Sequence, residues 1–360
     1  MKNTALVYCE GNFGLMDGKT ANGLVRVSLK YEIKGIIDST KAGMDAGEVL
    51  DGKHNGIPIF SGLTEALDCL TEIPAYFIYG MAPLSAFLTL EEDRDVFFKA
   101  MEQGMNVINP LYELLSEDDE FVQKAKQYGV KIIDIRRTPP RKTLHNFTGR
   151  IFDLKVPVIC VLGTDSAVGK RTTAILLVQA LRERGLRVAF IATGQTGLLQ
   201  GAKYGIPLDA MPSQYAIGEV ENQILKAYNE EKPDIIIVEG QGSISHPAYI
   251  SSCIIVRGAR PQGIIVQHPP KRLHLGDFNS MPMPSLESEI EIIETFSKSK
   301  VIAITLNHQN MSNLEITDTI CQYEARYHLP VTDVLKFGCE KLVTCIFDMF
   351  PFLKHRIKKI

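Results

Sequence analysis

The chain is predicted to be an α/β protein of two domains, each with a mainly parallel sheet covered by helices. Three observations predict this. Short apolar runs alternate with helix-like stretches along its 360 residues, the pattern of parallel strands joined by crossover helices. A glycine-bounded loop at residues 163–173 follows one apolar run directly and opens a helix. Paired prolines at 139 and 140 interrupt the alternation, and a 45% hydrophobic content is enough for two ordinary cores.

Taken in order, the first strand is expected at Thr4 to Cys9, with a turn over 10–14, a helix from Thr20 to Leu29 and a second strand from Ile33 to Asp38. Further strands are predicted at Ile57–Phe60, Tyr76–Tyr79, Asn106–Asn109 and Lys131–Ile135, between helices at Leu63–Cys69, Leu90–Gln103 and Asp118–Tyr128. The run from Arg136 to Lys142 cannot continue a strand or helix through its prolines. A connector is expected there, so that one domain covers 1–145 and the other 150–360. The second domain restarts with a strand over 156–162, a helix ending near Arg184 and a glycine stop signal at Gly185. Ala174, Leu177, Val178 and Leu181 give that helix one apolar face. A strand is expected at Arg187–Ala192, a helix at Ser213–Asn229, and strands at Asp234–Val238, Ser252–Val256, Gly263–Gln267 and Lys300–Leu306. The basic run Lys354 to Lys359 reads as a solvated tail.

Composition excludes some functions. A formal net charge of −3 provides no global field for nucleic acid or an anionic membrane, so any polyanion must be caught locally. The seven cysteines show no C-x-x-C spacing, which argues for thiols in a reducing compartment and against a zinc cage. No apolar run reaches the roughly 18 residues of a membrane span, and no signal-peptide pattern opens the chain. A cytoplasmic protein acting on a small molecule is expected.

The chemistry is concentrated in the loop Gly-Thr-Asp-Ser-Ala-Val-Gly-Lys-Arg-Thr-Thr, residues 163–173. Backbone N–H groups of such a loop point at a polyphosphate, the helix N-terminus adds partial positive charge, and Lys170 adds a full one. Five residues separate Gly163 from Gly169, one more than in G-x-x-x-x-G-K-[ST], and Arg171 follows the lysine where a hydroxyl is usual. That hydroxyl ligates Mg²⁺ in phosphoryl-transfer enzymes. Arg171 cannot do so, while Thr172 or Thr173 offers a hydroxyl at a shifted position. A loop that only anchors a pyrophosphate tolerates the change. Gly163, Thr164, Asp165, Ser166, Ala167, Val168, Gly169, Lys170, Arg171, Thr172 and Thr173 are thus the candidate cofactor residues.

Glu239 ends a buried strand before Gly240-Gln-Gly242. Next to a phosphate loop it is a candidate ligand of a Mg²⁺-bound water, a candidate base, or a partner of Lys170. Residues 193–197, Thr-Gly-Gln-Thr-Gly, follow another strand and either line the same crevice or form an ordinary turn. His246 and His268 each precede a proline in a loop after a strand-like run, as proton carriers or as plain hydrogen-bonding residues. Arg257, Arg260, Lys271 and Arg272 are candidates to clamp an acidic substrate, against the alternative of solvated charge. In the first domain Gly11, Gly14 and Asp38 echo a dinucleotide fingerprint without completing it. The alternatives there are a nucleotide site, or a fold that supports the substrate crevice or an oligomer contact.

The loop at 163–170 and Val-Glu-Gly-Gln-Gly at 238–242 resemble the nucleotide-binding core of dethiobiotin synthetase. Over nearly its whole length, with Lys-Thr-Ala-Asn-Gly-Leu at 19–24, Ile-Pro-Ile-Phe at 57–60, Gly-Lys-Arg-Thr-Thr at 169–173 and Glu-Gly-Gln-Gly-Ser-Ile-Ser-His-Pro at 239–247, the chain resembles a bacterial family described as D-glutamate N-acetyltransferases. That resemblance implies a Rossmann-like N-terminal domain, a P-loop C-terminal domain, and transfer of acetyl from acetyl-CoA to the amine of D-glutamate or a similar acidic amino acid. On this reading the loop anchors coenzyme A, and Glu239, His246 or His268 removes the ammonium proton. Backbone donors over 240–243 stabilise the oxyanion, the basic residues hold the carboxylates, and the protein is expected to be a homo-oligomer. Two alternatives remain: an ATP- and Mg²⁺-dependent carboxylate-activating ligase or kinase with Thr172 and Glu239 on the metal, or a nucleotide-sensing module without turnover.

Overall fold

The computed structural model describes residues 3–82 and 91–357. Leu90, Lys358 and Lys359, parts of the expected helix and tail, lie outside them. Contacts divide the chain into two units, Met1–Thr138 with Gln195–Gly201, and Pro139–Gly194 with Ala202–Ile360.

In the first unit the strands are β1 (Asn3–Tyr8), β2 (Tyr31–Ile37), β3 (Ile59–Phe60), β4 (Tyr76–Tyr79), β5 (Asn106–Asn109) and β6 (Ile132–Asp134). They pair in parallel in the order β3-β2-β1-β4-β5-β6, the doubly wound arrangement whose order reverses beside its first strand. Helices Lys19–Arg26, Leu63–Cys69, Glu91–Glu102 and Asp119–Tyr128 fill the crossovers. The core joins Leu6, Tyr31, Ile36, Phe77, Phe97 and Phe121. Asp38 is fully buried. It accepts the N–H groups of Gly11 (3.2 Å), Phe13 (2.9 Å) and Thr40 (3.0 Å) and the Thr40 hydroxyl. The carboxylate that a ribose would need therefore ties together the loops after β1 and β2.

The second unit holds β7 (Val158–Gly163), β8 (Val188–Ala192), β9 (Tyr204–Gly205), β10 (Ile235–Glu239), β11 (Gly263–His268), β12 (Lys300–Leu306) and β13 (Val331–Thr332). Their order is β13-β12-β11-β7-β10-β8-β9, all parallel. Side chains alternate between two cores. Val158, Cys160 and Leu162 enter one, and Ile159 and Val161 the other, because strands covered on both faces are apolar throughout.

One expectation fails outright. Residues 251–259 form a helix where a strand over Ser252–Val256 was expected. A short apolar run does not distinguish the two by periodicity, and here the chain must cross from the end of β10 to the start of the parallel β11, which takes a crossover helix. Gly258 lets that helix approach the one at Ser213–Glu231, since a Cβ there would lie 2.7 Å from the Ile217 carbonyl. Helices at Leu286–Ser297, Asn313–Tyr327 and Glu340–Met349 complete the layers.

The run after the paired prolines is held to the Ser213–Glu231 helix by two buried acids. Glu219 accepts His145 N–H (2.6 Å), and Glu221 accepts Thr148 N–H (2.6 Å) and Ile151 N–H (3.1 Å). Removing a carboxylate strands these donors in the interior. Glu221→Ala is expected to destabilise the second unit by about 1–3 kcal/mol, read as a lower urea midpoint.

Candidate active site

Register places the candidate residues. Glu239 at the end of β10 pairs with Val161 of β7, and Gln267 of β11 pairs with Gly163. The phosphate loop therefore leaves the sheet between Glu239 and His268, at the carboxyl edge where ligands bind in open α/β sheets. The order in which successive strands are laid down reverses at this point, β8 and β10 lying on one side of β7 and β11 to β13 on the other.

The loop is shaped by its own backbone and by neighbours from later strands. Gly169 has φ +109° and Ala167 φ +50°, left-handed values that side chains resist. Lys170 is buried and its Nζ donates to the loop carbonyl of Asp165. Asp165 is fully buried and accepts Ser166 N–H (2.7 Å), Arg272 Nη1 (2.8 Å) and Gly276 N–H (2.9 Å). Arg272 also donates to the carbonyl of Ser166 at 2.9 Å. Gln267 accepts the Thr173 hydroxyl at 2.5 Å, and Asn307 donates to the Val168 carbonyl at 2.9 Å. Asp277 accepts the hydroxyls of Ser166 (2.5 Å) and Tyr249 (2.9 Å).

Glu239 is almost completely buried. Burial pushes its carboxyl up to about 7, against the lowering pull of Arg171, Thr193 N–H and Lys170. It accepts Thr193 N–H at 3.0 Å. Gly240 follows because a Cβ there would lie 2.2 Å from the Val161 carbonyl. Burial, reinforced by Arg272, pushes His268 down to about 4, and its Nδ1 meets the Thr164 hydroxyl at 2.9 Å. An imidazole so shifted is a weak base at neutral pH. Burial also lowers His246, opposed by Asp165 and Asp277. Its Nδ1 accepts the Ala248 N–H at 3.2 Å, so the neutral ring carries its proton on Nε2, 3.6 Å from Asp165 Oδ1.

The basic candidates separate. Arg257 and Arg260 lie at the C-terminal end of the Ser251–Ala259 helix, just before β11 begins opposite Ile159. That is the amino edge of the sheet, a strand's length of about 20 Å from the phosphate loop. Both are exposed, over the rings of Phe296 and Phe152. The expectation that they clamp a substrate here is corrected: a crossover helix carries its C-terminus away from the carboxyl edge. Lys271 is exposed and paired with Glu315 at 2.6 Å, and Arg272 is engaged by Asp165. Thr172 stands half-buried in the first helical turn. Among the described residues no cluster of three or more His, Cys, Asp or Glu is placed to hold a metal, and no helix is long and apolar enough to cross a membrane.

Sequence reasoning missed Gln267, Asp277, Glu289, Asn307 and the pair His308–Asp333, whose Nδ1 and Oδ2 are 2.6 Å apart. Asn307 and His308 directly follow β12, and position after a parallel strand was the one signal they carried.

A parallel sheet with a phosphate loop at the reversal of its strand order, joined in one chain to a doubly wound sheet, defines a P-loop protein with a Rossmann-like partner domain. A model described as "Domain of unknown function (DUF1611_C) P-loop domain" matches residues 145–343, and one described as "Domain of unknown function (DUF1611_N) Rossmann-like domain" matches residues 39–138. The chain belongs to the DUF1611 family. It is similar to a protein of Pseudoalteromonas sp named D-glutamate N-acetyltransferase, 28% identical over 298 residues, 80% of this chain and 87% of the relative. A second relative of that name, from Tritonibacter scottomollicae, is 28% identical over 262 residues, 71% of this chain and 76% of the relative. The crystal structure of a DUF1611 family protein from Anabaena variabilis superposes with a TM-score of 0.87 at 28% identity, over 96% of this chain and 100% of that one.

Two outcomes are expected. Lys170→Ala should weaken binding of coenzyme A or ADP at least tenfold by calorimetry, the loss of a charge-assisted phosphate contact, whereas Arg257→Ala and Arg260→Ala should change it less than about twofold. The second concerns Glu239. Its folded-state pKa lies above the ordinary 4.5, so ionisation is disfavoured in the folded state and stability falls as pH rises from 4.5 towards 7. Glu239→Gln removes that cost and should stabilise the protein by about 2–3 kcal/mol at pH 8 and by little at pH 4, measured by denaturant unfolding.

Proposed function

We propose that this protein is an N-acyltransferase that moves acetyl from acetyl-CoA to the amine of D-glutamate or a similar acidic amino acid. The observation that carries this reading is a buried carboxyl at about 7 beside a phosphate loop whose lysine is followed by arginine. The names of two relatives support it. When bound, coenzyme A supplies the acyl thioester, and Gly163 to Thr173 with Lys170 are the residues to hold its phosphates.

An amine attacks a carbonyl only as the neutral base, so the ammonium must first lose a proton. Glu239 is the group for this task, because a base poised near 7 is half-ionised where it works and strong enough to take the proton. His268, pushed down to about 4, is not. The new bond joins the amine nitrogen to the acyl carbon, the carbon–sulfur bond breaks, and the departing sulfur takes its electron pair and the proton that the nitrogen sheds on becoming an amide. Arg171, whose charge bears on Glu239, is the cation to meet a substrate carboxylate.

Purified protein with acetyl-CoA and D-glutamate should release free thiol and form N-acetyl-D-glutamate, detected by mass spectrometry. The rate should rise with pH through about 7 as Glu239 ionises, and Glu239→Gln should lower kcat about 10²–10⁴-fold. Tight binding of ATP with Mg²⁺ and none of acetyl-CoA, by calorimetry, would overturn the reading in favour of a ligase or sensor.

A further inference from the structure

The segment after Glu239 contains two buried polar atoms that the protein does not satisfy. His246 Nε2 and Ser243 Oγ are buried and have no hydrogen-bond partner among the described residues, although His246 is 5% and Ser243 1% exposed. Buried donors without acceptors cost free energy, and native proteins keep few of them. The loop that bears them is held firmly. Glu289, itself fully buried, accepts Ile244 N–H at 2.7 Å and the Ser245 hydroxyl, and Ser252 donates to the Gln241 carbonyl. The His246 ring stacks on Tyr249, centroids 4.3 Å apart at 21°, and lies 5.9 Å from Phe278. Tyr249 is anchored in turn on Asp277.

This construction fixes what His246 can do. A backbone N–H has only a proton to give, so Nδ1, which receives the Ala248 N–H, must offer its lone pair. Nε2 then holds the ring proton and has no lone pair with which to act as a base. We propose that His246, through Nε2–H, together with the Ser243 hydroxyl, forms a neutral donor site for the carbonyl oxygen of the acyl group, one that tightens as this oxygen gathers negative charge. The assignment rests on the acetyl-transfer reading above. It replaces the base role considered for His246, and it places the stabilising donors on side chains beyond the backbone of 240–243.

Two features favour a carbonyl over a phosphate. The cations of this edge, Lys170, Arg171 and Arg272, belong to the phosphate loop or bind it, while His246 and Ser243 offer uncharged donors. Preorganised neutral donors suit an oxygen that becomes charged only during reaction. Asp165, the carboxylate nearest Nε2, has its charge offset by Arg272 at 2.8 Å, so it does not repel that oxygen strongly.

The test uses the full chain labelled with ¹⁵N-histidine, the His246 resonance being assigned with His246→Gln. At neutral pH the ring should be uncharged and protonated on Nε2, and acetyl-CoA should shift that N–H while coenzyme A, which lacks the carbonyl, should not. In turnover, His246→Phe, which keeps the stack, and Ser243→Ala should each lower kcat on the order of 10²-fold, with the Kd for coenzyme A changing less than about threefold. His246→Gln, which restores a donor, should recover part of the loss. Ser243→Ala should melt no lower than the parent, since it removes an unsatisfied hydroxyl, and it keeps the test decisive if His246→Phe fails to fold. A ring protonated on Nδ1, an equal response to both ligands, no response to saturating acetyl-CoA, or unchanged kcat in both variants would overturn the proposal. A protein that transfers no acetyl group but answers acetyl-CoA alone at His246 would overturn the reaction and leave the donor site standing.

Discussion

Parallel pairing of β10, β7 and β11 is the constraint on which this molecule depends. In a parallel sheet every strand ends at the same edge, so three adjacent strands deliver a phosphate loop, a carboxyl and an imidazole within two strand spacings of one another. The registers Glu239 to Val161 and Gln267 to Gly163 then decide which side chains meet. A shift of one residue in the β10–β7 pairing would turn Glu239 to the opposite face of the sheet and bring an aliphatic residue to its place.

Buried carboxylates serve two purposes in this chain, and their surroundings separate them. Asp38, Glu219, Glu221 and Glu289 each accept backbone N–H groups from a neighbouring loop, which orders that loop. Glu239 also accepts a backbone N–H, but desolvation outweighs its donors and nearby cations and lifts it to about 7. The same burial that holds a loop in one place thus leaves a proton acceptor in another. Burial raises Glu289 as well, despite the Ile244 and Ser245 donors it accepts, so what sets Glu239 apart is its place beside the phosphate loop at the carboxyl edge.

The two histidines show the same division. His268 is buried against the Thr164 hydroxyl with Arg272 nearby, and stays neutral beneath the loop. Burial lowers His246 too, but its Nε2 is buried without a hydrogen-bond partner among the described residues, on a loop held by Glu289. One imidazole supports the phosphate loop, and the other is kept ready for a ligand atom.

Local pattern in the sequence determined the alternation of strands and helices, the phosphate loop with its arginine at 171, and the acid at 239. Each depends on neighbours along the chain, such as apolar periodicity, glycine and proline positions, and a charge at a strand end. Tertiary structure alone decided the rest. The helix at Ser251–Ala259 is fixed by the crossover it must make, not by its β-branched residues. That crossover takes Arg257 and Arg260 to the far edge of the sheet, while the loop after β11 brings Arg272, Gly276 and Asp277 onto Asp165 and Ser166. Residues more than 100 positions apart meet there only because strand order makes β7 and β11 neighbours, and that order is set by packing two cores rather than by any local signal.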